Sequence, residues 1–191
     1  MKYILKLIVV FLISLALGLA LYHYLIMELL LLLGVPCFNV ILGFIYFFIT
    51  SLIIFFILKR FLLKKNKYDP YIWFLLYLIV LAIGLLFRNV YVQAIELNPF
   101  AFIYAFFDDP LSIFTTLINV VGFIPAYPLL YCMKRNIRFS KTVIIFGLIS
   151  ILIEFIQYIF ARGVFSLSDV LLYLIGFMLG YWATRFITPR N

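Results

Sequence analysis

Acidic side chains are scarce in this chain: seven Asp and Glu stand against fifteen Lys and Arg among 191 residues, with a single histidine. Charged residues of every kind amount to 12%, where a soluble domain carries about 25%. Two cysteines, Cys37 and Cys132, are too few for a disulfide framework. His23 lies alone in an apolar run, without the neighbouring ligands a metal needs, and is expected to be a packed or interfacial side chain. Neither a glycine-rich phosphate loop nor a Gly-x-Ser-x-Gly elbow occurs, which removes the usual motifs of nucleotide binding and serine hydrolysis. No metal and no cofactor is expected.

Apolar residues are what the chain has in excess. They make up 68% of it, aromatics alone 20%, and the mean hydropathy is +1.26. Soluble domains are about 45–50% apolar. The composition describes an all-α, polytopic membrane helix bundle. A helix needs about 20 mostly apolar residues to cross a bilayer, and six runs between charges qualify: 7–27, 38–58, 71–87, 111–132, 142–161 and 169–184. The last is short and is expected to be the least regular. Leu29–Leu33 is expected to extend the first helix or lie at the interface. Residues 1–70 would form two N-terminal transmembrane helices and a basic loop, and 71–191 the remaining membrane domain, with no internal repeat. Lys2, Lys6 and Gly18-Leu-Ala20 imitate a cleaved signal peptide, but the apolar run outlasts an ordinary signal core, so a retained helix is expected.

The linkers sort by sign. Lys2 and Lys6, the cluster Lys59 to Lys67, the cluster Lys134 to Lys141, and Arg185 with Arg190 occupy alternate linkers; Glu28, Glu96, Asp108 and Asp109 occupy the others, with Arg88 and Arg162 the exceptions. The positive-inside rule then places both termini in the cytoplasm of a multi-pass cell-membrane protein. The formal charge of +8 is accounted for without a nucleic-acid partner. Cys37 and Cys132 fall near opposite faces, beyond disulfide reach.

Against this background Glu154 stands out. A carboxylate at the centre of a spanning helix costs about 2.5–3.5 kcal/mol on insertion scales. Gln157 and Tyr158 share its helical face, and Arg162 continues the stripe two turns later. Asp169 opens the last span on the side that also carries Tyr173, Gly176 and Gly180; the last two form a small-xxx-small pattern that admits another helix. Asp169 is expected to cap that helix, with Ser166 and Ser168 as rival caps. Asn119 lies in line with Thr115, Thr116 and Gly122, Arg88 ends the third span, and Asn98 sits in the outer linker. Arg88, Asn98, Asn119, Glu154, Gln157, Arg162 and Asp169 therefore converge on the outer half from four spans and a loop. They predict a polar pocket opening outward, lined by both signs of charge. The competing reading is structural: Glu154 paired with Arg162 or Arg88, and Asn119 bonded across helices.

Four blocks carry a resemblance: Asn98-Pro-Phe100, Ile118-Asn-Val-Val-Gly-Phe-Ile-Pro125, Ile153-Glu-Phe-Ile-Gln157 through Gly163, and Asp169-Val-Leu-Leu-Tyr-Leu-Ile-Gly176 with Gly180. Together, and in this order over about residues 88 to 181, they resemble the VanZ-like family of small membrane proteins. The family usually reads Asn-Leu-x-Pro-Phe where this chain has Leu97-Asn-Pro-Phe100, Leu-Gly where Ala126-Tyr127 stands, and Asn in place of Tyr173. The first two spans have no counterpart. The resemblance implies an envelope protein associated with low-level teicoplanin resistance, without supply of an altered wall precursor. It singles out Asn119, Glu154, Gln157, Arg162 and Asp169, with Arg88 as a further member.

The leading expectation is an outward site binding a membrane lipid, a lipid carrier, a lipid-linked cell-wall precursor or a lipoglycopeptide. Arg88 and Arg162 would meet an anionic group; Glu154 and Asp169 would hold those arginines or accept from ligand hydroxyls. The alternatives are a membrane enzyme using Glu154 and Asp169 as an acid/base pair, a transporter coupled through Glu154, and a structural or partner-binding subunit.

Overall fold

The structure, a computed structural model, describes residues 2–28, 40–63, 66–86, 93–108, 110–135, 137–161 and 163–188. It is all-α apart from one two-residue strand pair. Two compact units divide it, Met1–Asn89 and Val90–Asn191.

In the first unit, α1 (Lys2–Leu21) runs into a wider helical turn at Tyr22–Ile26, followed by α2 (Val40–Leu62) and α3 (Asp69–Leu86). Helices α1 and α2 pack through small residues. Gly18 faces Ser51 so closely that a Cβ at 18 would overlap the serine. Ser14 and Ser51 are buried beside it, and each hydroxyl turns back to its own helix, Ser14 to the Phe11 carbonyl at 2.7 Å and Ser51 to Phe47 at 2.9 Å. Lipid offers no water to pair these groups, so bonding within the helix is what lets them lie at a contact. Lys59 near the end of α2 pairs with Asp69 at the start of α3, Nζ to Oδ1 at 2.6 Å. His23 packs edge-on to Tyr24, ring centroids 5.1 Å apart; Cys132 of the second unit is an exposed free thiol, and Cys37 lies outside the described residues.

The second unit holds β1 (Ile95–Glu96), α4 (Ala101–Asp108), α5 (Pro110–Val121), α6 (Ala126–Met133), α7 (Phe139–Ile159), β2 (Phe165–Ser166) and α8 (Leu167–Ile187). Helices α5 and α6 are one apolar span, Ser112–Met133, broken at residues 122–125 by tighter turns leading to Pro125, which has no N–H to continue the helix. Helix α8 packs on α5, α6 and α7 and is the best buried: 39% of its apolar window lies inside, against 17–22% for the other long spans. Its glycines explain how. A Cβ at Gly176 would overlap the Val120 carbonyl oxygen, and one at Gly180 the Ile124 carbonyl oxygen. The small-xxx-small edge of α8 thus lies on the broken segment of the α5–α6 span. An aromatic column follows the same helix: Tyr173 packs on Phe123 at 4.2 Å, Phe177 on Phe146 at 4.2 Å and Tyr181 on Phe139 at 3.9 Å.

Among the described residues five helical stretches are long and apolar enough to span a membrane, Ile4–Ile26, Gly43–Leu62, Ser112–Met133, Phe139–Ile159 and Leu167–Ile187; α3 is a shorter apolar helix. The last span is neither short nor irregular. It begins before Asp169 because Ser166 caps it, and it continues past Arg185, whose guanidinium lies over the Tyr181 ring at 5.3 Å.

Candidate functional site

Helix α7 is polar inside and apolar outside. Phe146, Ser150, Glu154 and Gln157 form its buried stripe, while Ile144, Leu148, Leu152, Phe155 and Ile159 are exposed on the other side. Glu154 has no exposed surface. Its Oε1 accepts from the Tyr173 hydroxyl at 2.7 Å, and its Oε2 accepts from the Ser166 backbone N–H at 3.2 Å. Those bonds are what make a carboxylate tolerable at that depth.

The second of them organises the start of α8. Ser166 is the N-cap: its hydroxyl accepts from the Asp169 N–H at 3.3 Å and lies 2.8 Å from the Ser168 hydroxyl. The cap is therefore Ser166, not Asp169. In a reciprocal capping box the residue at Asp169 would reach back to the cap's own N–H. Here Glu154, from another helix, takes that N–H. The Asp169 carboxylate instead accepts from Asn119 of α5, Nδ2 to Oδ1 at 2.9 Å. It remains in the first turn of α8, where the helix dipole favours an anion. Strand β1 pairs in parallel with β2, Ile95 opposite Phe165 and Glu96 opposite Ser166, and steadies the approach to the cap.

Asn119 and Asp169 stand on the wall of a cavity of about 140 Å³. Ser112, Thr115, Thr116 and Ser168 add hydroxyls to the lining, and Ala101, Phe102 and Ala105 of α4 line it as well. One carboxylate, one carboxamide and four hydroxyls offer hydrogen bonds of both senses, the chemistry that recognises sugar hydroxyls, amides or an ammonium group. Among the described residues no cluster of three or more His, Cys, Asp or Glu could hold a metal ion.

Four of the seven residues predicted to converge lie in two layers of the second unit. Asn119 and Asp169 line the cavity. Glu154 and Gln157 are buried on α7 and are not in the lining; Glu154 accepts from the N–H of Ser166, whose hydroxyl meets that of Ser168 in the lining. Asn98 is exposed, its Oδ1 accepting from the Phe100 N–H at 3.0 Å, so it shapes the entry into α4. Arg88 and Arg162 lie outside the described residues. The residues that went unanticipated are Ser112 and Ser168 in the lining and Tyr173 as the donor to Glu154. The spacing Ser166-Leu-Ser-Asp169 did announce a capped helix start; nothing local announced the Tyr173 contact.

No curated protein and no solved structure matches the chain. A sequence model of the VanZ/LLP1 family matches residues 71–188, more than half the chain, running from within α3 to the end of α8 and taking in the cavity, the Ser166 cap and the Glu154–Tyr173 pair. The chain belongs to the VanZ/LLP1 family.

Proposed function

We propose that this VanZ-family membrane protein binds the polar part of an amphipathic envelope ligand in the Asn119–Asp169 cavity. The ligand class is a lipid carrier, a lipid-linked wall precursor or a lipoglycopeptide such as teicoplanin. The observation that carries this is a carboxylate and an amide paired on the wall of a hydroxyl-lined cavity beside a membrane span. Drug-sized pockets run to about 300–1,000 Å³; at about 140 Å³ this one fits a single sugar or amide group and leaves the rest of an amphiphile outside. Arg162 is the proposed partner for an anionic group on the same ligand. A resistance role in the cell membrane follows if the ligand is the lipoglycopeptide. Glu154 supports the site rather than acting on the ligand, because both its oxygens hold donors inside the core.

The test is teicoplanin and vancomycin susceptibility of Gram-positive cells expressing wild type, Asp169→Asn or Asn119→Ala at matched membrane levels. Selective protection against teicoplanin by wild type, lost in both variants, is the expected result. Protection retained by both variants would remove the cavity from the function. No protection by wild type would remove resistance, and the cavity would then be assayed with purified lipid ligands.

A further inference from the structure

Helix α4 has eight residues, about 12 Å of helix at 1.5 Å per residue, too short to cross about 30 Å of hydrocarbon. Until its terminal aspartate it is apolar on every side. Its inner face, Ala101, Phe102 and Ala105, lines the cavity. Its outer face carries Ile103, Tyr104 and Phe107 at helical spacing, preceded by exposed Phe100 in the turn, with Tyr104 71% and Phe107 82% exposed. A stripe of large apolar side chains on the surface needs a partner.

Two features identify the partner. Only Asp109 separates α4 from α5, and Ser112 of α5 begins a membrane span, so α4 is held at the end of that span. The other end of the same span meets Lys134, Arg135 and Arg138, so α4 lies on the side away from the basic linker. A Tyr and Phe stripe, followed in the sequence by Asp108 and Asp109, suits the water–hydrocarbon boundary, where aromatic rings collect.

We infer that α4 is an interfacial helix lying in the membrane surface opposite the basic linker of Lys134, Arg135 and Arg138, with Tyr104 and Phe107 among the lipid chains just below the headgroups. The partner of its outer face is the lipid surface, as for other apolar helices that lie in the interface. One consequence rests on the proposed function: the cavity beneath α4 is met from the lipid side, so its ligand carries an acyl chain that stays beside Tyr104 and Phe107.

The experiment uses the full chain in phosphatidylcholine vesicles, with Trp73 and Trp182 replaced by Phe and a reporter placed by Phe107→Trp or, separately, Tyr104→Trp. The reporter should lose most of its emission to lipids brominated close to the ester end of the acyl chain and little to acrylamide. Quenching by acrylamide with no response to brominated lipid would overturn the inference; so would strongest quenching by bromine near the chain's methyl end. A second arm compares teicoplanin with vancomycin in cells expressing Tyr104→Ser/Phe107→Ser. Loss of teicoplanin protection is expected. If Asp169→Asn loses protection and this double variant keeps it, the lipid-side approach fails while the cavity stands. If the quenching is interfacial and neither variant loses protection, the cavity reading fails while the interfacial helix stands.

Discussion

The Tyr173 hydroxyl donates to Glu154 Oε1 at 2.7 Å, between two side chains that have no exposed surface at all. The bond ties α8 to α7, and the other oxygen of the same carboxylate holds the cap of α8. Leaving a buried partner unsatisfied costs about 1–3 kcal/mol. Tyr173→Phe and Glu154→Gln should each lower stability by about that much. Their double variant should lose less than the sum, with a coupling of about 0.5–3 kcal/mol, as for groups in one network. Thermal unfolding of the four proteins in one detergent measures it. Additive losses would mean the pair is not coupled.

The glycines of α8 divide sharply from Gly163. An added methyl at Gly176 would meet backbone at Val120 and also Phe123 Cβ at 3.2 Å; at Gly180 it would meet backbone at Ile124 and Pro128 Cδ at 3.1 Å. Backbone cannot step aside as a side chain can, so α8 would have to move off the α5–α6 break. At Gly163 the methyl would find only Gln157 Cβ, at 3.9 Å, an ordinary contact. Gly176→Ala and Gly180→Ala should each sharply reduce the folded yield in detergent, with Gly163→Ala close to wild type. Size-exclusion profiles at equal expression decide this, and a monodisperse Gly176→Ala protein would contradict the packing.

The fold was readable wherever the physics is local. Apolar runs interrupted by charge mark the spans, and the spacing of Glu154 and Gln157 correctly places both on the buried face of α7. What spacing cannot show is which helix lies opposite. Nothing near Glu154 in the chain indicates that its oxygens would hold Tyr173 and the Ser166 N–H, and so release Asp169 toward Asn119. Helix α4 was invisible for a different reason: eight residues fall below the length at which periodicity separates a helix from an apolar loop. Charge read as a boundary trims the last span at both ends, to 169–184 against the observed Leu167–Ile187. Arg185 continues the helix by laying its long stem along the protein and its guanidinium over Tyr181.

Lys59 and Asp69 set a pH dependence in the first unit. Burial is the largest influence on the Asp69 carboxyl and pushes it up, but the hydrogen bonds from Lys59 and Asn66 and the charges of Lys59 and Arg60 together outweigh it, so the group titrates below its ordinary value of 3.8. A lowered folded-state value favours folding above the ordinary value, and the benefit disappears as pH falls through the folded one. Wild type should therefore lose thermal stability below about pH 4, and Asp69→Asn should be less stable at neutral pH but flatter through that acid range. Melting curves of both proteins between neutral and acid pH test this; parallel curves would show that the pair contributes nothing.

The Asn119–Asp169 pair allows stability and recognition to be separated. Asn119→Asp sets two carboxylates against each other and should destabilise the second unit, since one of them must then take up a proton or move away. Adding Asp169→Asn restores an amide facing a carboxylate, with the two helices exchanged. The exchanged protein should recover much of the lost stability, because the hydrogen bond can form in either direction. It should not recover function if a ligand reads the negative charge at the start of α8, where the dipole and the Ser166 cap support it. Melting temperature and teicoplanin protection, measured on the two single variants and the exchange, give the answer. Recovery of both would make the pair a tie between helices; recovery of stability alone would assign the Asp169 carboxylate to the ligand.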